Sequence, residues 1–195
     1  MIDEDAFGIL FSYYDVEDDE YASDEREIFV QRFEAFERGV LEIVAEMALP
    51  EPHHVVCLGH AVYVELRDSE DAPELLRQTR AASARLNAVG FANVTVLSHG
   101  SRWVVAGEEP QLSLSSAEGG LRIARISRPS EPLRRALDVA TLSRRDEVVE
   151  GWGPGVYVDV EALEALGKVP KNAPTVLRAP GAEFFRIPAL PVEAR

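Results

Sequence analysis

Between Glu27 and Leu49 the apolar residues Phe29, Phe33, Phe36, Val40, Ile43 and Met47 recur at steps of three and four. On a helix that spacing lines them up in one stripe. An aromatic-rich stripe of this length must be covered, so the chain needs a sheet or a second helix to pack against it. Ser23 is placed to cap the helix, and Asp24, Glu25 and Glu27 put carboxylates at the positive end of its dipole. Pro50 and Pro52 stop it. A helix is therefore expected over Ser23–Leu49, with Gly39 as a point where it can bend.

The flanking segments read as its cover. Ala6–Tyr14 is aromatic and β-prone and reads as a strand. His54–Leu66 reads as a hairpin, Val55–Leu58 then Ala61–Leu66, reversing near Gly59 and His60. Asp71-Ala-Pro-Glu74 is a capping box with an early proline, and it opens a second helix with Leu75, Thr79, Ala82, Leu86 and Val89 inward. Gly90 supplies the left-handed stop, and Phe91 is placed to fold back on the last turn. Val94–Leu97 follows as a strand, which gives the order β-α-β-β-α-β of a ferredoxin-like unit.

Beyond Arg102 the pattern is one of short strands and turn signals. Arg102–Ala106, Gln111–Ser115 and Leu121–Ile126 read as a meander. Ser130 and Pro132 open a helix to about Leu142, with Leu133, Leu137 and Ala140 inward. Val156–Val158 reads as a strand, Asp159 caps a short helix over Glu161–Leu166, and Thr175–Arg178 with Glu183–Ile187 flank the turn signal Pro180-Gly181. The expected fold is α+β. It has a mainly antiparallel sheet with two principal helices on one face, ferredoxin-like order first, then a meander and short α/β elements. One domain over residues 1–195 is expected, with 108–120 as the place for any subdivision.

Charge separates the two ends. Residues 1–51 carry 16 acidic and 3 basic side chains, nearly the whole formal excess of −14. Nucleic acid and anionic membrane surfaces are disfavoured as partners, since phosphates need Lys and Arg. A basic protein partner is the natural complement. The one cysteine, Cys57, excludes an internal disulfide, and with no secretory leader pattern or membrane-length apolar run the cytoplasm is expected.

The acid is densest in Asp15–Glu27. There Tyr13, Tyr14 and Tyr21 border Asp15, Glu17, Asp18, Asp19 and Glu20. Tyrosine brings rigid contact area, and carboxylates bring attraction and charge-assisted hydrogen bonds to Arg or Lys. Those eight residues are the expected partner-binding face of an inhibitor or immunity-type protein, classes that share this composition. The bland account is a solvated loop whose last acids favour the next helix. A small enzyme, metal-dependent at Asp15 and Glu17 or using His54, His60 and His99, is the alternative. A structural or assembly subunit is a third.

Other motifs read as structure. An EF-hand loop from Asp15 fails at Glu20, where glycine is needed, and at Arg26, where glutamate is needed. His54-x2-Cys57-x2-His60 has ligand-like spacing, but a strand turns Cys57 away from the histidines and holds these about 20 Å apart. His99-Gly-Ser101 is expected in a turn and lacks the Gly-x-Ser-x-Gly of a nucleophile elbow. Gly151-Trp-Gly-Pro-Gly155 precedes a strand rather than a helix, unlike a phosphate cradle. No catalytic residue, metal ligand or cofactor is assigned. The seven arginines of Arg122–Arg145 are expected to pair with the N-terminal acids or across a homodimer.

Overall fold

The computed structural model describes residues 2–14, 26–49, 53–58, 60–67, 72–104, 112–116, 122–126, 130–142, 153–167, 177–179 and 182–187. Nine strands and four helices lie among them. In chain order they are β1 (Ile2–Tyr13), α1 (Arg26–Glu46), β2 (His53–Cys57), β3 (Ala61–Arg67), α2 (Ala72–Ala88) and β4 (Asn93–Val104). Then come β5 (Leu112–Ser116), β6 (Arg122–Ile126), α3 (Glu131–Leu142), β7 (Gly155–Asp159), α4 (Val160–Ala165), β8 (Leu177–Ala179) and β9 (Ala182–Ile187). The class is α+β, as the patterning requires. Seven strands form one sheet in the order β2-β3-β1-β4-β7-β9-β8, while β5 and β6 pair with each other as a separate two-stranded ribbon. Every pairing in the large sheet is antiparallel except β4 with β7.

Alternation along the strands sorts the core into two layers. Phe7, Ile9 and Phe11 of β1, Val62, Val64 and Leu66 of β3, and Val156 and Val158 of β7 point to one face. There they meet Phe36 and Val40 of α1, Leu75 and Leu86 of α2, and Leu163 of α4. Leu10, Tyr63, Val96, Tyr157 and Phe184 point to the other face, where Leu133, Ala136, Val139 and Ala140 of α3 cover them. The two principal helices thus share a face, as their stripes predict. Coverage of the opposite face by α3 is new information.

The helix stops follow local chemistry. Gly90 has φ of 91°, and the Phe91 N–H closes onto the Leu86 carbonyl at 2.9 Å. Phe91 then packs its ring on Phe36 and Tyr13. Asp159 caps α4, accepting from the Ala162 N–H. Asn93 ties α2 to the start of β4, accepting from the Ser83 and Thr95 hydroxyls and donating to the Ser83 and Phe91 carbonyls. Each of these buried polar groups therefore has a partner.

Two elements run longer than their apolar cores suggest. β1 begins at Ile2, with Asp3, Glu4 and Asp5 inside the strand and paired to Trp103, Arg102 and Ser101 of β4. Glu4 is tolerated there because Arg67 and Arg102 hold its carboxylate at 2.9 and 3.1 Å. Nor does β4 turn at His99-Gly-Ser101, which lies within its pairing with β1. The expected strand Arg102–Ala106 is in part the end of β4, so the meander reduces to the β5–β6 ribbon. Among the described residues no helix is long and apolar enough to cross a membrane.

Candidate functional site

β7 runs alongside β4 only from Val94↔Gly155 to Leu97↔Val158. Beyond Leu97, β4 continues to Val104 with β1 on one side and, among the described residues, no strand on the other. Backbone groups on such an edge still need partners. Side chains from α3 and from the end of β7 provide them. The His99 N–H donates to both carboxylate oxygens of Asp159 at 3.3 Å. The His99 carbonyl accepts from Arg135 Nη1 at 2.9 Å, and the Ser101 N–H donates to Glu131 Oε2 at 3.3 Å. Gly100 sits between them because a Cβ there would lie 2.9 Å from Glu131 Oε2.

Arg135 is the hub. Its Nη2 is 2.7 Å from Glu131, and its Nη1 is 3.2 Å from Glu161 and 3.5 Å from Asp159. One guanidinium, with 12% of its side chain exposed, thus meets three carboxylates from α3, β7 and α4. Asp159 is wholly buried. Burial dominates its acidity, with Glu161 adding to the rise and the Ala162 N–H, Arg135 and His99 opposing it, and its carboxyl is pushed up to about 7. Glu131 behaves oppositely. Burial pushes it up, but the Ser101 N–H and Arg135 outweigh this and hold it below the usual carboxylate value. Two neighbouring acids whose environments drive their proton affinities apart form the pattern of an acid–base pair.

A second polar network lies under the first turn of α3. Gly8 leaves room for the Tyr63 ring, whose hydroxyl meets Ser130 at 3.2 Å and donates to Glu65 at 3.0 Å. Ser130 Oγ donates to the same Glu65 oxygen and accepts from the Leu133 N–H, capping α3. Arg102 then links Glu65 to Glu4. Burial, reinforced by the Glu65 charge, raises the Tyr63 hydroxyl well above its ordinary acidity range. These groups neutralise one another and fasten α3 to the sheet.

The sequence-predicted sites fare differently. Tyr13 is packed in an aromatic cluster, its ring centroid 5.6 Å from that of Phe33 and 5.4 Å from that of Phe36, and Tyr14 packs against the α3-side core. Both spend much of their ring surface inside the protein. Asp15, Glu17, Asp18, Asp19, Glu20 and Tyr21 lie outside the described residues, as does Trp152. His54, His60 and His99 are not brought together. Through Glu65 and Gly8, His54 is level with Ser98, three strand spacings or about 14 Å away. His60 lies at the hairpin end, where its carbonyl accepts from the Tyr13 N–H. No group of three or more metal-ligating side chains occurs among the described residues. Of the arginines in Arg122–Arg145, Arg135 pairs with Glu131, Asp159 and Glu161, and Arg134 approaches Glu131. Those are local acids rather than N-terminal ones.

Sequence reasoning placed Asp159 correctly as a cap but missed its second role. The only available signal was an acid at a strand end followed by Glu161, with a Glu131/Arg135 pair at helical i,i+4 spacing upstream.

No family model matches the sequence, and no curated protein matches it. Solved structures with a similar chain trace include the adenylyl cyclase CyaB from P. aeruginosa, at 8% identity and a TM-score of 0.46, covering 100% of this chain and 96% of that one. A bacterial light-regulated adenylyl cyclase is similar at 11% identity and a TM-score of 0.49, over 94% of this chain. The chain spans half the length of that second structure. Both are adenylyl cyclases, and neither is an inhibitor or immunity protein. With Tyr13 and Tyr14 committed to packing as well, the expectation of an inhibitor or immunity protein is corrected.

Proposed function

We propose that the chain is a small enzyme whose proton-handling group is the Asp159 carboxyl, supported by Arg135, at the carboxyl end of β7. The observation that carries this reading is one acid raised to about 7 within reach of a guanidinium shared with two further carboxylates. A group poised near neutrality can give or take a proton at working pH, which is what general acid–base catalysis needs. The position also suits a site, because ligands of sheets with parallel pairs gather at the carboxyl ends of the strands. Here α3 and α4 approach that end from opposite faces of the sheet. Three carboxylates against Arg135 favour a neutral or cationic substrate over an anionic one. The histidine-based version of an enzyme has no support in the geometry, since the histidines stand apart. A cytoplasmic setting goes with this reading, since the single cysteine, Cys57, allows no internal disulfide.

The test is turnover of a small-molecule panel by the wild-type protein and by Asp159→Asn, with adenylyl cyclase activity as one arm. An activity whose pH profile has a limb near 7, lost in a folded Asp159→Asn protein, is the expected result. Turnover that survives the substitution with its pH profile unchanged overturns the reading.

A further inference from the structure

Among the described residues, the cap beside β4 beyond Leu97 sets three carboxylates against the one guanidinium of Arg135. Facing Asp159 are Arg135 from α3, which also holds Glu131, Glu161 from α4 and the His99 backbone from β4, while on the β9 side its pairing partner is the apolar Phe184. Arg134 only reaches Glu131 at 4.0 Å and is largely exposed. Arg135 Nη1 stands 3.5 Å from Asp159, while Nη2 is 2.7 Å from Glu131. The guanidinium therefore favours Glu131 in this arrangement, which suits an Asp159 that keeps its proton.

We propose that this cap is a proton-operated latch: when Asp159 loses its proton, Arg135 shifts from Glu131 to Asp159, tightening the edge at His99 and loosening it at Ser101. The first half follows because a carboxylate is a stronger acceptor than a carboxylic acid for the His99 N–H. A buried anion also draws its nearest cation in, from 3.5 Å toward ordinary ion-pair distance. The second half follows because one guanidinium holds both acids. Leaving Glu131 frees the carboxylate that clasps the Ser101 N–H at 3.3 Å and the Ser101 hydroxyl at 3.4 Å. A proton taken from one residue thereby changes the backbone protection of two others in opposite directions. The latch stands whether or not Asp159 works on a substrate.

Amide hydrogen exchange on the full chain, expressed as protection factors so that intrinsic pH dependence cancels, tests this between pH 6 and 8. The expected result is His99 protection rising about threefold or more and Ser101 protection falling by a similar factor, with one shared midpoint. Asp159→Asn should flatten both curves. Glu131→Gln should flatten the Ser101 curve while leaving the His99 rise, which keeps the test alive if the first variant does not fold. His99→Gln should leave the Ser101 curve in place, since only the His99 backbone takes part. Changes of the same sign at both amides, or a midpoint that follows the His99 ring instead of Asp159, overturn the latch.

Discussion

A methyl group placed on Gly8 would stand 2.7 Å from ring carbon Cε2 of Tyr63 and 2.9 Å from Cβ of Pro132. The sheet and the first turn of α3 meet at that glycine. Its backbone is unstrained, so only space demands it. Gly8→Ala must push the Tyr63 ring, and with it Ser130 and Glu65, away from their positions. Overpacking of this kind costs about 1–3 kcal/mol. Chemical denaturation of the variant should show a lower midpoint at an unchanged slope.

Asp159 makes stability depend on pH with an unusual sign. Its folded value of about 7 lies above the ordinary 3.8, so between those values the folded state binds more protons than the unfolded one. Its contribution to stability is therefore full below about pH 4, shrinks as pH rises, and is gone above about 7. The size is at most on the order of a few kcal/mol. The difference in unfolding free energy between wild type and Asp159→Asn should move against wild type from pH 5 to pH 8. A flat difference would show that Asp159 is ionised throughout.

Arg102 joins Glu4 and Glu65 with only a tenth of its side chain exposed. Arg102→Ala leaves two carboxylates facing each other without their shared cation, and Glu4 retains only Arg67. Because Glu4 is partly exposed, the loss should be smaller than for a fully buried pair, about 2–3 kcal/mol. Thermal unfolding in low and high salt should show that most of the loss persists in salt, as burial of the network implies.

Ser130 holds three partners at once: the Tyr63 hydroxyl, the Glu65 carboxylate and the Leu133 N–H. Ser130→Ala removes a helix cap and leaves the Glu65 oxygen with the Tyr63 hydroxyl in place of two hydroxyl donors. A destabilisation of about 1–2 kcal/mol is expected. In a double-mutant cycle with Tyr63→Phe the two losses should not add, because both hydroxyls serve the same Glu65 oxygen and touch each other.

Local signals made much of the fold legible. The α1 stripe, Gly90 with Phe91, and the Asp159 cap are each written within a few residues, and the structure keeps them. α2 begins at Ala72, while Asp71 of its expected capping box lies outside the described residues. What stayed hidden depends on neighbours far along the chain. Glu4 does not look like part of a strand until Arg67 and Arg102 are set beside it. His99-Gly-Ser101 looks like a turn until Gly100 is seen to make room for Glu131. The site was hidden for the same reason, since Glu131, Arg135 and Asp159 meet only once β7 has paired with β4 in parallel. Charge density, by contrast, drew attention to the Asp15–Glu27 stretch, although charge alone does not distinguish a binding surface from solvated chain.

The side-chain cap on β4 has a consequence for how molecules of this protein meet at high concentration. An open strand edge invites a strand from another copy, the first step toward aggregation. Here the His99 N–H and C=O and the Ser101 N–H are already occupied by Asp159, Arg135 and Glu131. An intruding strand would have to displace a guanidinium and two carboxylates before making its first backbone bond. The charges that crowd this corner thus also guard the molecule's solubility.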